Sequence, residues 1–126
     1  MKTYEQALYE FWASFGLTTY EENSVPIGAD APSFPYLTYS ISNSGFNSEY
    51  SLTVNIWTRS TSWISANLFA DTIFKFIGMG GKCVNYKNGV IWLKRGTPFS
   101  QSLGDESDDM IKRKYINITA ENITAN

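Results

Sequence analysis

Residues 49–58, EYSLTVNIWT, alternate without a break: Leu52, Val54 and Ile56 fall on one side, Ser51, Thr53, Asn55 and Trp57 on the other. Successive side chains of an extended chain point to opposite faces, so this period of two predicts a strand with one face in a core. Just upstream, PYLTYSIS (35–42) repeats the pattern, with Leu37, Tyr39 and Ile41 set against Tyr36, Thr38 and Ser40. NSGFNS (43–48) lies between the two runs and predicts a hairpin turn. Strands apolar on one face only require a second layer to cover that face.

The flanking segments supply helices for that layer. Thr3 and Gln6 have the spacing of a capping box, and Tyr4, Ala7, Leu8, Phe11, Trp12 and Phe15 recur at helical intervals. They predict a helix over 4–15, with Gly16 at its C-terminal cap. Residues 17–35 hold Asn23-Ser24, Pro26, Gly28, Pro32 and Pro35 and read mostly as loop. Downstream of the strands, Ser60, Thr61 or Ser62 caps a second helix. Its apolar stripe is Trp63, Ala66, Phe69, Ala70, Ile73 and Ile77, while Ser65, Asn67, Asp71 and Lys75 face water. Gly78, Gly80 and Gly81 end it. CVNYKNGVIWLK (83–94) then reads as a hairpin about Asn88-Gly89, and KYINITA (114–120) as a last strand through Ile116 and Ile118. The expectation is an α+β fold, order αββαβββ, with a mainly antiparallel sheet packed against two helices in a single domain, 1–126.

Composition narrows the function. At 126 residues the chain is long enough for a real core, and 43% hydrophobic with 16% aromatic residues excludes disorder. Eight Phe, eight Tyr and four Trp exceed what a small core needs, so some aromatics are expected at a protein–protein interface. A net charge of -2 offers no charge-based case for nucleic-acid binding. Its distribution is uneven: residues 1–58 carry six acids and one base, residues 59–126 nine bases and six acids. That asymmetry suits head-to-tail subunit contacts. With one cysteine, Cys83, and no histidine, internal disulfides, histidine triads and imidazole switching drop out. Cys83 reads as a buried structural thiol. No apolar run has transmembrane length, and MKTYEQALYEF is amphipathic rather than a leader, so the chain is expected to be intracellular at synthesis. Without a leader, the N-x-T sequons at Asn117 and Asn122 read as chance.

RGTPFSQSLGDESDDMIKRKY (95–115) is the candidate site. Asp105, Glu106, Asp108 and Asp109 crowd five positions, and Lys112, Arg113 and Lys114 follow. Calcium loops place oxygen ligands at alternating positions and close on a Glu at the twelfth, which D-E-S-D-D does not do. GMGG (78–81) lacks the spacing of a phosphate-binding loop and reads as helix termination. Residues 96–109 show neither period and are expected to form a long loop, whose carboxylates keep it soluble and let it dock on a partner. The docking residues are Phe99, Gln101, Asp105, Glu106, Asp108 and Asp109. Candidate inter-subunit charges are Lys94, Arg95, Lys112, Arg113 and Lys114. No cofactor and no metal ligand set is expected.

FPY (34–36), IWTRSTSW (56–63), YKNGVIWLKRGTPF (86–99) and IKRKYINITAENI (111–123), in this order of elements, resemble the tail terminator (tail completion) proteins of long-tailed bacteriophages and prophages. The resemblance spans roughly 30–122 and rests on pattern and layout. It implies a non-enzymatic virion protein forming a six-fold ring. Such a ring caps the tail tube, stops its growth and joins the head, with long loops (here 22–35 and 96–109) reaching the tube and the neighbouring subunit. The implied partners are the chain itself, the tail tube protein, neck or connector proteins and, in a contractile tail, the sheath, with no membrane and no sequence-specific nucleic acid. The implied location is the head-proximal end of the tail, after assembly in the host cytoplasm. Three alternatives stand beside it: a head–tail connector or neck subunit, a small metal-dependent hydrolase using Asp105, Asp108 and Asp109, and a small-molecule binding module with an aromatic pocket.

Overall fold

The computed structural model describes residues 1–42 and 48–124. The fold is α+β: two helices and a six-stranded, mostly antiparallel curled sheet. Along the chain come α1 (Tyr4–Ala13), β1 (Thr18–Glu21), a 3-10 turn (Gly28–Asp30), β2 (Tyr36–Tyr39), β3 (Glu49–Arg59), α2 (Ile64–Ile77), β4 (Lys82–Tyr86), β5 (Gly89–Gly104) and β6 (Ile111–Thr124). Their order across the sheet is β1-β2-β3-β6-β5-β4.

The alternating stretch becomes β3, with β2 antiparallel on one side and β6 antiparallel on the other. Leu52, Val54 and Ile56 are fully buried and share one core cluster with Leu37 of β2, Ile116 and Ile118 of β6, and Ile91 and Leu93 of β5. The expected hairpin turn at 43–48 falls outside the described residues except for Ser48. Both helices contribute to this one core, α1 through Leu8 and Trp12, α2 through Ala70, Ile73 and Ile77. The curl lets α1 touch β1 and β4, which lie at opposite edges of the sheet, while α2 lies on β3, β5 and β6.

Helix termini follow the local chemistry with two departures. Thr3 and Gln6 close the capping box, Thr3 Oγ1 accepting from Gln6 N and Gln6 Oε1 from Thr3 N. α1 ends at Ala13 rather than at 15, with Ser14 as its cap. The N-cap of α2 is Trp63, whose side chain makes no capping bond; Ser62 Oγ instead accepts from Ile64 N. Gly78, at φ +70°, closes α2 in a conformation that suits glycine.

Four further expectations are corrected. β1, inside the expected 17–35 loop, pairs parallel with β2 from Thr18–Tyr36 to Glu21–Tyr39. The order is therefore αβββαβββ. The β4–β5 turn is Lys87-Asn88, one residue earlier than expected, because Gly89 already pairs with Tyr86. Cys83 is exposed on edge strand β4. Most consequentially, 96–109 is not a loop. β5 is interrupted after Arg95, which pairs with Ile118, and resumes at Ser100, which pairs with Ile116, so four residues bulge opposite Asn117. Gly96 allows this, since a Cβ there would lie 2.6 Å from the Asn117 carbonyl oxygen. Asn117 Nδ2 donates to the Pro98 carbonyl within the bulge at 2.9 Å.

Candidate docking surface

The ladder from Ser100–Ile116 to Gly104–Lys112 makes the far half of β5 and the start of β6 a hairpin closed by residues 105–110. Beyond Leu93, β5 has no pairing with β4, so this half of β5 is an edge. Its side chains, Ser100, Gln101, Ser102 and Leu103, carry no apolar alternation. Backbone bonds to β6, not side-chain burial, hold it.

The acidic residues at the turn divide into two pairs. Asp105 Oδ1 accepts from Ser107 N at 2.8 Å and from Ser107 Oγ at 2.6 Å. These bonds to Ser107 hold the Asp105 carboxyl below its usual range. Asp108 Oδ1 accepts from Met110 N at 2.9 Å, and its other oxygen receives Arg59 Nε at 3.1 Å. Ser60 N donates to the Met110 carbonyl at 2.7 Å, tying the turn to the end of β3. Thus Asp105 and Asp108 shape the turn. Glu106 and Asp109 are exposed, and their carboxylates have no hydrogen bond or ion pair among the described residues. No group of three carboxylate or thiol side chains among the described residues is placed to hold a metal ion.

The other residues expected in the site scatter. Phe99 turns back onto α2, its ring 5.0 Å from that of Phe74. Arg95 donates from Nε (3.0 Å) and Nη2 (2.8 Å) to the Phe74 carbonyl in the last turn of α2, with its guanidinium over the Phe74 ring. This pair of bonds caps the helix end where a cation is electrostatically favoured. Gln101 is exposed opposite Tyr115. Lys94 joins Glu49 and lies over Trp92, Lys112 donates to the Asp109 carbonyl, and Lys114 donates to Ser102 Oγ at 2.9 Å.

Arg113 lies on the sheet face opposite the helices. It donates to Asn55 Oδ1 at 2.8 Å and sits over Trp57 and Tyr115. Trp57 stacks on Tyr36 with centroids 5.9 Å apart and donates to Thr38 Oγ1. Tyr36, Trp57 and Tyr115 in this band thus lie outside the core cluster. Sequence reasoning missed Arg59, which closes the turn from β3; no local signal marks it, because only the β3–β6 register sets Arg59 beside Ile111.

Between α1 and β1 runs a groove of about 850 Å³, lined by Tyr9, Tyr20 and Tyr39 with Glu5, Glu10 and Glu21. Lys2 bridges Glu10 at 3.1 Å on one wall. No family model, curated protein or solved structure matched the chain.

Proposed function

We propose that this chain is a virion assembly protein of the tail-terminator type, forming a head-to-tail ring on the end of a phage tail tube, and that the β5–β6 turn is its docking element. One observation carries the reading: the turn is built and held by Asp105 and Asp108, leaving Glu106 and Asp109 pointing outward from a paired hairpin. A turn held by its own hydrogen bonds presents charge at less entropic cost than a free loop. The resemblance of the segments 34–36, 56–63, 86–99 and 111–123 to tail terminators supports the family, while the order of elements, αβββαβββ, carries one strand more than the resemblance drew on. The uneven charge supports the head-to-tail arrangement, because the acidic half of the chain supplies β1, β2 and most of β3, and the basic half supplies β4, β5 and β6.

The direct test is electron microscopy of particles made without this protein. Headless tails of uncontrolled length are the expected result; normal tails on filled heads would end the proposal. A second reading, a binding module for a small cationic ligand, is favoured by the tyrosine- and glutamate-lined groove. A protein that stays monomeric under every condition yet binds an organic cation tightly would support it.

A further inference from the structure

The groove between α1 and β1 holds a buried polar group that the fold leaves without a partner. The β1–β2 register sets Glu21 beside Tyr39, and both line the groove. On the opposite wall Glu5 and Tyr9, four positions apart, share one face of α1. Tyr39 is only 3% exposed, yet its hydroxyl has no hydrogen-bond partner among the described residues. Unlike the indole nitrogen of Trp12, that hydroxyl is not sealed in by protein, so it opens into the groove. Burial first, then the neighbouring Glu21 and Tyr9, hold it above the ordinary tyrosine range, so it stays protonated and neutral. A buried polar atom that the chain does not satisfy calls for a partner from outside it.

The charges around this hydroxyl are not balanced. Lys2, the basic side chain in the groove, is held by Glu10. No cation bridges Glu5 or Glu21 among the described residues. Glu21 accepts from Asn23 N at 2.9 Å and from Ser24 Oγ at 3.5 Å, neutral donors that fix the carboxylate without cancelling its charge. We propose that the groove binds a primary alkylammonium ion, its nitrogen held by Glu5, Glu21 and the Tyr39 hydroxyl and its stem against the Tyr9 and Tyr20 rings. Carboxylates only accept hydrogen bonds, and a tyrosine hydroxyl accepts as well as donates, so this polar set matches a cation rich in N–H donors. A quaternary ammonium brings the charge but no N–H, and an alcohol brings a donor but no charge. The inference deepens the small-cation reading given above and rests on it; it is independent of the tail-terminator reading.

Calorimetric titration of the full chain with n-butylamine should show saturable binding at one site per chain. Tetramethylammonium and n-butanol should each bind at least about tenfold more weakly. Tyr39→Phe keeps the ring and removes the acceptor, and should weaken butylamine roughly tenfold. Its melting temperature should be unchanged or raised, because the lost hydroxyl has no partner in the fold. Glu21→Gln, and Glu5→Gln at an exposed position of α1, should each weaken butylamine by a similar factor. Nα-acetyl-lysine methylamide separates two sources of the same ion. Binding as tight as butylamine supports the inference with a lysine side chain as the source, and weaker binding supports it with a free amine. Tetramethylammonium binding as tightly as butylamine would overturn the inference while leaving a cation site standing. So would Tyr39→Phe with wild-type affinity and intact melting. Absence of saturable binding by either cation would overturn the inference and the small-cation reading together.

Discussion

Trp12 and Ile73 are both buried in the core, yet they should respond very differently to substitution. Trp12 is fully buried with an indole N–H that has no hydrogen-bond partner among the described residues. Trp12→Phe removes that donor, whose burial without a partner costs about 1–3 kcal/mol, while the lost ring leaves a cavity of opposing cost. The two changes offset, so chemical denaturation should place the variant within about 1 kcal/mol of wild type. Ile73→Asp instead puts an uncompensated charge at a site that is 1% exposed. It should destabilise by roughly 3–5 kcal/mol; a variant with unchanged melting would mean that Ile73 does not face the core. Ile73 was legible in the sequence because helical spacing repeats over several turns. The partners of Phe99 and Arg95 were not, because both lie where a bulge breaks the period and both are claimed by α2, more than twenty positions away in the chain for each of the atoms they touch at Phe74.

At the scale of elements, α1 is fastened to the sheet by a run of hydroxyls. Tyr4 Oη donates to the Ser42 carbonyl at 2.6 Å and lies 2.6 Å from Tyr50 Oη, which reaches Asn122 Oδ1 at 2.7 Å. Burial, reinforced by the bond to Tyr50, pushes the Tyr4 hydroxyl well above the ordinary tyrosine range, and burial raises Tyr50 as well. For a group whose pKa is raised by folding, the stabilisation is complete below the unfolded value, about 10 for tyrosine, and is lost as pH rises beyond it. Thermal stability should therefore fall above about pH 10, and Tyr4→Phe should flatten that fall. A profile identical to wild type would show that Tyr4 is not the responsible group. The same Asn122 is buried, so its N-x-T motif is closed to modification in the folded chain.

The β5–β6 turn belongs to this scale too. Changing all four carboxylates to amides would remove the Asp108–Arg59 pair and perturb the Asp105 cap, so it does not separate docking from folding. Glu106→Gln with Asp109→Asn does, since neither side chain has a partner among the described residues. That double variant should melt within about 0.5 kcal/mol of wild type, as surface changes usually do. On the tail-terminator proposal, completed particles should fall, and attachment of the protein to isolated tubes should lose much of its salt dependence. Wild-type yield and salt response would make the turn a solvated spacer.

Across the whole molecule, the sheet order sorts the chain by charge. β1 to β3 come from the acidic half and β6, β5 and β4 from the basic half, so sequence asymmetry becomes asymmetry between two sides of one sheet. If the chain forms the proposed tail-terminator ring, cross-linking between the two sides in particles should join unlike faces of neighbouring subunits, because a repeated heterologous contact either closes or grows without limit. A two-fold dimer as the only species in the assembled particle would contradict the ring. In the proposed ring each contact would be weak alone, roughly 0–1 kcal/mol for an exposed ion pair, but the copies would act together.

What the sequence determined by itself were the elements whose side chains repeat: α1 with its capping box, β2 and β3 by alternation, the core stripe of α2, and β6 through Ile116 and Ile118. Each of these is stabilised by burying one regular face, and a regular face leaves a period in the residues. Tertiary structure decided the rest. β1 is an extended edge because β2 offers it a backbone ladder, and β5 runs on to Gly104 because β6 lies beside it. Neither needs a side-chain pattern. The division of the acidic residues into two that shape the turn and two that face outward depends on Ser107, Met110 and Arg59. Arg59 lies forty-nine residues from Asp108 in the chain. Hydrogen bonds across such a separation leave no local period in the sequence, because only the folded sheet brings their partners together.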